Sequence, residues 1–450
     1  MIRQHWLESV VLACVTIAAL GISGCGTGVS LRTGVPALLT VSPAHGIVMG
    51  GQQPVAGVTL QLYQAGTTGY GSSATKLGSS VQTTPGGNFD LPSYTCAAGS
   101  QVYLVGMGGQ PIAATMSSPA VTNNNLALMV GLGTCGGTDL STFINVNELT
   151  TVASVWALAP FMTGIANVGS SSTNAMGLAN AFAAINEVVN TANGTTPGLT
   201  LPTGATLPTT EINTLGDILE QCINSGGGTE GDGSGCGNLF KYAPNIAGTV
   251  YPTDTITAAM NIAQSPGRNV ANLNRLQSTN PVFQPSNDVN VAPNDWTIAI
   301  TFTGGGLSTP TSVATDAAGA VWVTNSGNSS VTKLNAAGAA VSGSSGFTTG
   351  GFSTPAAIAI DLSGNAWVAN AGNNTLTELN SAGGSGGPGS SGNGLSTPAG
   401  IAIDGSGNIW VANSGANPVS AFTSSGAALT GSPYSGAGTS APISVAVTPK

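Results

Sequence analysis

The stretch from Pro355 to Asn370 reads PAAIAIDLSGNAWVAN, and it recurs with small changes from Pro310 and from Pro398. In each copy an apolar run leads to an Asp, a Gly follows three residues later, and a second apolar run carries a Trp. Asp and Gly suit a tight turn, because an Asp side chain bonds the backbone two residues on and Gly adopts positive φ. Each copy therefore predicts a β-hairpin with a Trp on its returning strand.

The copies recur at a nearly constant interval. Pro310, Pro355, Pro398 and Pro442 are 45, 43 and 44 residues apart. A period of about 44 residues with several short strands is typical of β-propeller blades, and the range 296–450 holds about 3.5 of them. We expect the Trp of each unit to fill the space between blades, and Trp296–Phe302 to be an outer strand of an absent preceding blade.

The unit P-x-x-I-A-I-D-x-x-G-N-x-W-V-A-N resembles the NHL-repeat propellers, in particular their streptogramin-lyase-like (virginiamycin B lyase-like) branch. The resemblance implies a propeller fold and, in that branch, an elimination that uses a metal and a catalytic histidine. Only His5 and His45 occur in this sequence, and neither lies in the repeats. The repeats therefore lack the general base of that chemistry.

One acidic position recurs in the repeats, at Asp316, Asp361 and Asp404. These residues are weak candidates for a ring of carboxylates that binds a divalent cation. Turn capping by Asp explains the same spacing, and we favour it. We therefore expect neither a cofactor nor a catalytic residue here.

The N-terminus carries an export signal. Arg3 precedes the apolar run Val10–Ile22, which has signal-peptide length, and the run leads to Leu20-Gly-Ile-Ser-Gly-Cys25. This end resembles the lipobox of bacterial lipoproteins, and the resemblance implies that 1–25 is a lipoprotein signal peptide and that Cys25 carries acyl chains. Gly26 after the Cys is similar to lipoproteins sent to the outer membrane. An ordinary cleaved signal peptide is the alternative.

Export also determines how the remaining cysteines are interpreted. Four cysteines remain after the predicted lipid site, and an even number in an oxidising compartment predicts two disulfides. Cys222 and Cys236 flank a glycine-rich stretch and are expected to pair first, which leaves Cys96 with Cys135. A zinc site is the competing interpretation, but the spacings contain no C-x-x-C and no histidine lies nearby.

After a linker at 26–45, the range 46–139 alternates in the manner of β-strands and predicts a small β-sandwich. Gly46–Leu60 contains G-x-Q-P-V-A-G, and Thr83–Phe89 reads TTPGGNF. These segments resemble the carboxypeptidase-regulatory-like (prealbumin-like) sandwich family, although Pro85 stands where that family has Asp. The resemblance implies a stalk or adaptor.

The range 140–290 changes to helical periodicity and predicts an α-helical domain of four or five short helices. The whole chain is then a multidomain α+β protein: an N-terminal β-sandwich, an α-helical middle domain and a C-terminal partial β-propeller. We expect the acidic residues of the helices to lie on solvated faces: Glu148, Glu187, Glu211, Asp217 and Glu220.

Composition narrows the function. Only 6% of the residues are charged, the net charge is -9 and no basic cluster occurs, so a nucleic-acid partner is not expected. We interpret the protein as an exported, lipid-anchored surface protein of the cell envelope, a non-catalytic binding or structural platform rather than an enzyme. Its expected partners are the membrane, through the anchor, and a second copy of itself, another protein or a glycan. A metal-dependent lyase or lactonase is the alternative.

Overall fold

A computed structural model describes residues 36–111, 120–137, 143–387, 389–416, 418–436 and 440–447. The predicted signal peptide, Cys25 and the first half of the predicted linker lie outside these residues. Within the described ranges, no helix has both the length and the apolarity needed to cross a membrane.

The N-terminal half is built mainly of short strands. In chain order they are β1 (Leu38–Val41), β2 (Ala44–Gly50), β3 (Gln53–Pro54), β4 (Thr59–Gln64), β5 (Thr75–Gln82), β6 (Asn88–Leu91), β7 (Tyr94–Ala97), β8 (Gln101–Met107), β9 (Ala127–Thr134) and β10 (Phe143–Val146). One antiparallel sheet has the order β5-β4-β8-β9. In a second sheet β2 pairs with β3, β6 and, in parallel, β10, while β1 pairs with β7.

Helices follow the strands. They are α1 (Glu148–Leu158), α2 (Ala175–Val188), α3 (Thr209–Ile223), α4 (Gly235–Tyr242), α5 (Thr255–Gln264) and α6 (Val270–Asn274), with the short strands β11 (Met162–Gly164), β12 (Asn167–Val168) and β13 (Ala205–Thr206) between them. The described part of the predicted helical range thus holds six α-helices, where helical periodicity predicted four or five. Asn147 begins α1 with a capping box, because its side chain accepts from Thr150 N and the Thr150 side chain accepts from Asn147 N.

The helices cover the open edge of the first sheet. Thr151 and Ser154 on α1 accept hydrogen bonds from Met129 N and Gly131 N of β9, each at 2.9 Å. Thr255 on α5 accepts one from Ala127 N, also at 2.9 Å. Hydroxyl groups thus take the place of a further strand, which protects an edge that would otherwise be free to pair.

Sheets and helices share one hydrophobic core, which runs from Val48 to Trp296 in the sequence. Strand β10 lies in the range assigned to the helical domain, yet it pairs with β2 of the range assigned to the sandwich. The chain consists mostly of small sheets with few helices. Its division into separate sandwich and helical domains stays a prediction.

The C-terminal repeats form antiparallel meanders. After β14 (Thr301–Phe302), the first repeat holds β15 (Pro310–Thr315), β16 (Val321–Asn325) and β17 (Ser330–Leu334). The second holds β18 (Pro355–Ile360), β19 (Ala366–Asn370), β20 (Thr375–Leu379) and β21 (Ser390–Ser391), and the third β22 (Pro398–Ile403), β23 (Ile409–Asn413) and β24 (Val419–Phe422). The predicted hairpins are confirmed, with Trp322, Trp367 and Trp410 on the returning strands.

Small apolar cores join consecutive repeats, as expected for propeller-like units. Trp322 of the first repeat packs with Ile358 and Val368 of the second. Trp367 of the second packs with Ile409 and Val411 of the third. The Trp side chains at both junctions are fully buried, so each fills the space between neighbouring sheets.

The prediction for Trp296–Phe302 is wrong. Thr301 and Phe302 pair with Thr206 and Ala205 of β13, not with a blade. Trp296 is fully buried in the N-terminal core, and its carbonyl oxygen accepts from Trp156 Nε1 at 2.7 Å. The apolar residues here looked like a blade strand because alternation alone does not tell which neighbour buries them.

Candidate functional site

The recurring Asp of the repeats is bonded entirely within its own hairpin. Asp361 Oδ1 accepts from the backbone N–H groups of Ser363 and Asn365, both at 2.9 Å. Its Oδ2 accepts from Asn365 Nδ2 and from the indole Nε1 of Trp367, both at 3.2 Å. One carboxylate therefore closes the turn and orients the Trp that fills the junction.

The third repeat has the same arrangement. Asp404 accepts from the backbone N–H groups of Ser406 and Asn408, at 2.8 and 3.0 Å, and from Trp410 Nε1 at 3.0 Å. The hydrogen bond from the Trp410 indole is the largest influence on this carboxyl group, and it holds the pKa well below its ordinary value.

In the first repeat a lysine replaces the asparagine as the side chain that contacts the turn carboxylate. Ala320 stands where the other repeats have Asn, and Lys333 Nζ lies 3.3 Å from Asp316 Oδ2 instead. The same ammonium group lies 4.4 Å from the centroid of the Trp322 ring, within the range of a cation–π contact. Trp322 Nε1 donates to Asp316 Oδ2 at 3.1 Å.

A catalytic metal does not fit these residues. Both oxygens of each repeat carboxylate already accept hydrogen bonds inside one hairpin, so a cation would have to displace the donors that form the turn. The described ranges contain no group of three or more His, Cys, Asp or Glu residues that could hold a metal ion. His45 lies in β2 of the N-terminal half and contacts Asp90, with 2.5 Å between Nδ1 and Oδ1.

The structure contains both disulfides with the predicted pairing. Cys96 is bonded to Cys135 and Cys222 to Cys236, and all four residues are buried. The second bridge ties the end of α3 to the start of α4 across the glycine-rich stretch.

The acidic residues of the helices do not all lie on solvated faces, so that expectation was wrong for three of them. Glu148 is fully buried, Asp217 is 1% exposed and Glu187 is 4% exposed. Burial raises the pKa of Glu148 to about 8 and that of Asp217 to about 7, since a charged carboxylate loses its hydration there. Glu211 and Glu220 are half-buried.

Each of the two deepest carboxylates holds a distant loop. Glu148 Oε1 accepts from Gly51 N at 2.8 Å, and this bond fixes the turn between β2 and β3. Asp217 Oδ1 accepts from the N–H groups of Val282 and Phe283, both at 2.9 Å. Buried acids with raised pKa values beside a cavity often mark a functional site.

Such a cavity lies between these two loops. It has a volume of about 440 Å³, within the range of roughly 300–1,000 Å³ for small-molecule pockets. Its wall combines the β2–β3 turn, the start of α1, the turn after α2, one residue of α3 and the segment 282–284; among its residues are Gln52, Asn145, Leu149, Thr196, Asn213 and Phe283. We call it the amide cleft, because its polar lining is neutral and rich in Asn and Gln.

Sequence reasoning did not find the amide cleft. Its residues come from five separate segments, and none of them forms a motif. The one available signal was the density of Asn and Thr around residues 190–196, a composition that is equally typical of an ordinary loop.

Comparison with known proteins gives distant structural neighbours only. No protein-family model matches the chain, and no curated protein matches it. A streptogramin B lyase structure is similar at 18% identity and a TM-score of 0.27, over 32% of this chain and 45% of that one. Virginiamycin B lyase from Staphylococcus aureus is similar at 20% identity and a TM-score of 0.23, over 26% of this chain and 39% of that one. A functionally unknown protein from Desulfotomaculum acetoxidans is similar at 16% identity and a TM-score of 0.26, over 34% of this chain and 51% of that one.

The chain thus spans about half, or less, of the length of each of these structures. At these TM-scores the similarity carries no argument about activity. The function of the chain is therefore inferred from its own residues and from the local geometry of its repeats.

Proposed function

We propose that this protein is an exported, lipid-anchored protein of the bacterial cell envelope whose propeller-like repeats serve as a non-catalytic binding or structural platform. The lipobox-like sequence at Cys25 supports the anchor, and the two disulfides support an oxidising compartment. The sequence favours the outer membrane as the destination.

One observation carries the non-catalytic part of the proposal. The carboxylates that recur in the repeats accept hydrogen bonds inside their own hairpins, from backbone N–H groups of the turn and from an indole N–H group. A metal-dependent lyase or lactonase would need these oxygens, or a histidine, free to face a ligand.

A second copy of the chain is the partner we propose for the repeats. Ile358 at the first junction is 5% exposed, whereas Val313, its counterpart on the outer side of the first repeat, is 63% exposed. At the other end Trp410 is half-buried and stacks on Tyr434, while Trp367 is fully buried. Residues 443–445 of the same chain lie against Gly400 of β22 and cover part of this second face. The exposed Val313 side of the first repeat is the surface that we propose to meet the remaining part of the second face in a neighbouring copy.

Lipidation is tested by metabolic labelling with palmitate in a bacterial host. The protein should incorporate label, and Cys25→Ala should abolish it. An unlabelled wild-type protein, or a labelled Cys25→Ala variant, would refute the anchor.

The platform is tested by calorimetric titration of the purified protein with calcium, magnesium and manganese. We expect no tight binding. Tight binding that is lost in both Asp361→Ala and Asp404→Ala would instead favour the metal-dependent enzyme.

Self-association is tested by sedimentation in a mild detergent. The wild-type protein should be larger than a monomer, and Val313→Lys should shift it towards the monomer, with Leu362→Lys as control because Leu362 is 89% exposed on a turn. A monomeric wild-type protein would overturn this partner without touching the anchor.

A further inference from the structure

The amide cleft shares three wall residues with the buried acids. Gly51, Val282 and Phe283 line the cleft. Gly51 N donates to Glu148, and the N–H groups of the other two donate to Asp217. Two walls of the cleft, the β2–β3 turn and the segment that contains Phe283, are therefore bonded to these two carboxyl groups.

A third acid, Glu220, lies at the same place. It follows Asp217 by one turn of α3. A Cβ atom built on Gly51 would lie 3.3 Å from Cγ of Glu220 and 3.5 Å from Cγ1 of Val282, so the three acids converge on this glycine from two helices. We call Glu148, Asp217 and Glu220 the acid cluster.

The loops over the acid cluster border solvent and are held by few further bonds. Gln52 in the β2–β3 turn and Gln284 in the other loop are exposed. Asn224 Nδ2 donates to Gly50 O at 2.9 Å, which is the second bond between α3 and the turn. Either loop can therefore move while the helices, which contribute to the common core, stay in place.

No positive charge offsets the acid cluster. Within the described ranges, no Lys or Arg forms a salt bridge with any of its members. The other titratable groups on α3, on the helices packed against α1 and α3, and on β2 are Glu211, Glu187, Lys241, Asp254, Arg275 and His45. None of these groups is among the influences on the pKa of Glu148 or Asp217, whereas Glu220 raises the pKa of both.

Ionisation of the acid cluster is therefore costly while the loops are closed. Burial is the largest influence on the pKa of Glu148 and of Asp217, and it outweighs the N–H groups of the loops, which lower both pKa values. Oε2 of Glu148 and Oδ2 of Asp217 are buried without a hydrogen-bond partner among the described residues, so no donor replaces their lost hydration. Negative charges this close also repel one another.

We propose that the acid cluster is a pH-sensitive switch that opens the amide cleft: when Glu148 and Asp217 ionise, the β2–β3 turn and the segment 281–285 move away and water reaches the acids. The closed state holds protons that the open state releases, so rising pH favours the open state. This inference goes beyond the proposed platform function and does not depend on the lipid anchor or on self-association.

Hydrogen–deuterium exchange of the purified full chain in a mild detergent, followed by mass spectrometry, tests the switch. Exchange at pH 6 and at pH 8 is compared after correction for the chemical exchange rate. Peptides that contain Gly51, or Val282 and Phe283, should lose protection at least about tenfold between the two pH values, because opening releases at least one proton. At pH 8 they should also exchange at least about tenfold faster than peptides that contain Met129 of the central β9.

Two outcomes of this comparison would overturn the switch. Protection of both loops that does not change between pH 6 and pH 8 would show that ionisation leaves them closed. Equal exchange of the loops and of Met129 at pH 8 would show that the whole fold opens, not the cleft alone.

A double variant assigns the effect to the carboxyl groups. Glu148→Gln with Asp217→Asn keeps an acceptor oxygen for each loop and removes both charges, so loop protection should be the same at pH 6 and pH 8. Glu211→Gln on α3 is the matched control, because Glu211 is half-buried and lies outside the cluster, and it should keep the wild-type fall. A full fall in the double variant would refute the proposal.

A milder variant keeps the test decisive if the double variant does not fold. Glu220→Gln removes one repelling charge from a half-buried side chain and leaves both loop acceptors unchanged. The loss of loop protection between pH 6 and pH 8 should then be smaller than in the wild-type protein. A loss equal to that of the wild type would contradict the switch.

Discussion

The turn carboxylates of the C-terminal repeats and the buried carboxyl groups of the N-terminal half bond to groups at very different distances along the chain. Asp361 bonds to groups no more than six residues away. Glu148 bonds to Gly51, 97 residues away, and Asp217 to Val282, 65 residues away. The turn carboxylates of the repeats are therefore bonded within single units, although the units pack on one another, whereas the buried carboxyl groups of the N-terminal half are bonded only when distant segments have come together.

The difference also separates two uses of acidic residues. In the third repeat the hydrogen bond from the Trp410 indole and those from the turn lower the pKa of Asp404, which favours its charged form. In the N-terminal half burial is the stronger influence and favours the protonated form. Four predictions test this contrast between the repeats and the N-terminal half.

The largest expected effect is a loss of stability with rising pH, caused by the N-terminal half. The pKa of Glu148 is raised from 4.5 to about 8, so the folded state holds a proton that the unfolded state releases. The contribution of Glu148 to the free energy of unfolding is fully present below pH about 4.5 and is lost as the pH rises towards 8. At about 1.4 kcal/mol per unit the fall is on the order of 5 kcal/mol.

Urea unfolding followed by circular dichroism at pH 5, 6, 7 and 8.5 measures this slope. Glu148→Gln keeps an acceptor for Gly51 N and should flatten the slope, although Asp217 retains part of it. A slope that is the same in the variant would show that Glu148 does not cause it.

Removal of a junction tryptophan should have the next largest effect. Trp367→Ala removes a fully buried side chain and should destabilise the repeats by about 3–5 kcal/mol, by loss of burial and by the cavity left behind. Trp410→Ala should cost clearly less, because that ring is half-buried. Urea unfolding compares the two, and equal losses would contradict the packing described for the junctions.

Removal of the turn carboxylate should have a smaller effect on stability. Asp361→Ala leaves the Trp367 indole N–H and two turn N–H groups without their acceptor and should cost about 1–3 kcal/mol. Asp295→Ala is the matched control, since that exposed Asp also accepts from a backbone N–H two residues on. Urea unfolding of the control should differ from that of the wild type by less than about 0.5 kcal/mol.

The smallest effect is expected at a helix start. Asp254 caps α5 by accepting from Thr257 N at 2.8 Å, so Asp254→Ala should cost about 0.5–2 kcal/mol. Asp254→Asn keeps an acceptor oxygen and should recover most of the loss. Thermal unfolding measures both, and a variant pair with the same midpoint would show that the cap contributes nothing.

The repeats could be predicted from sequence because their bonds are local. The Asp, Gly and Trp of each unit lie within one hairpin, and the spacing alone indicates the turn, the strands and the junction residue. The disulfide pairing was likewise accessible, since four cysteines with one glycine-rich loop leave a preferred order.

The amide cleft and the buried acids could not be predicted, and α3 shows why. Ile212, Leu215 and Leu219 mark one apolar face, so Asp217 was expected to face solvent. The segment 281–285, which has no periodic pattern, covers the opposite face and buries Asp217. The periodicity of a helix indicates its apolar face, but it does not indicate which other segment of the chain packs against the opposite face.

The first repeat departs from the other two in the groups that surround its turn carboxylate. It lacks the Asn found in the other two, yet Lys333, two strands along in the same sheet, supplies the missing donor. The same ammonium group donates to Ser381 O of the second repeat at 2.7 Å, so this lysine also connects two units. Exchange of the first unit for a copy of another would therefore remove a contact from its neighbour, and adjacent units of such an array are expected to change together.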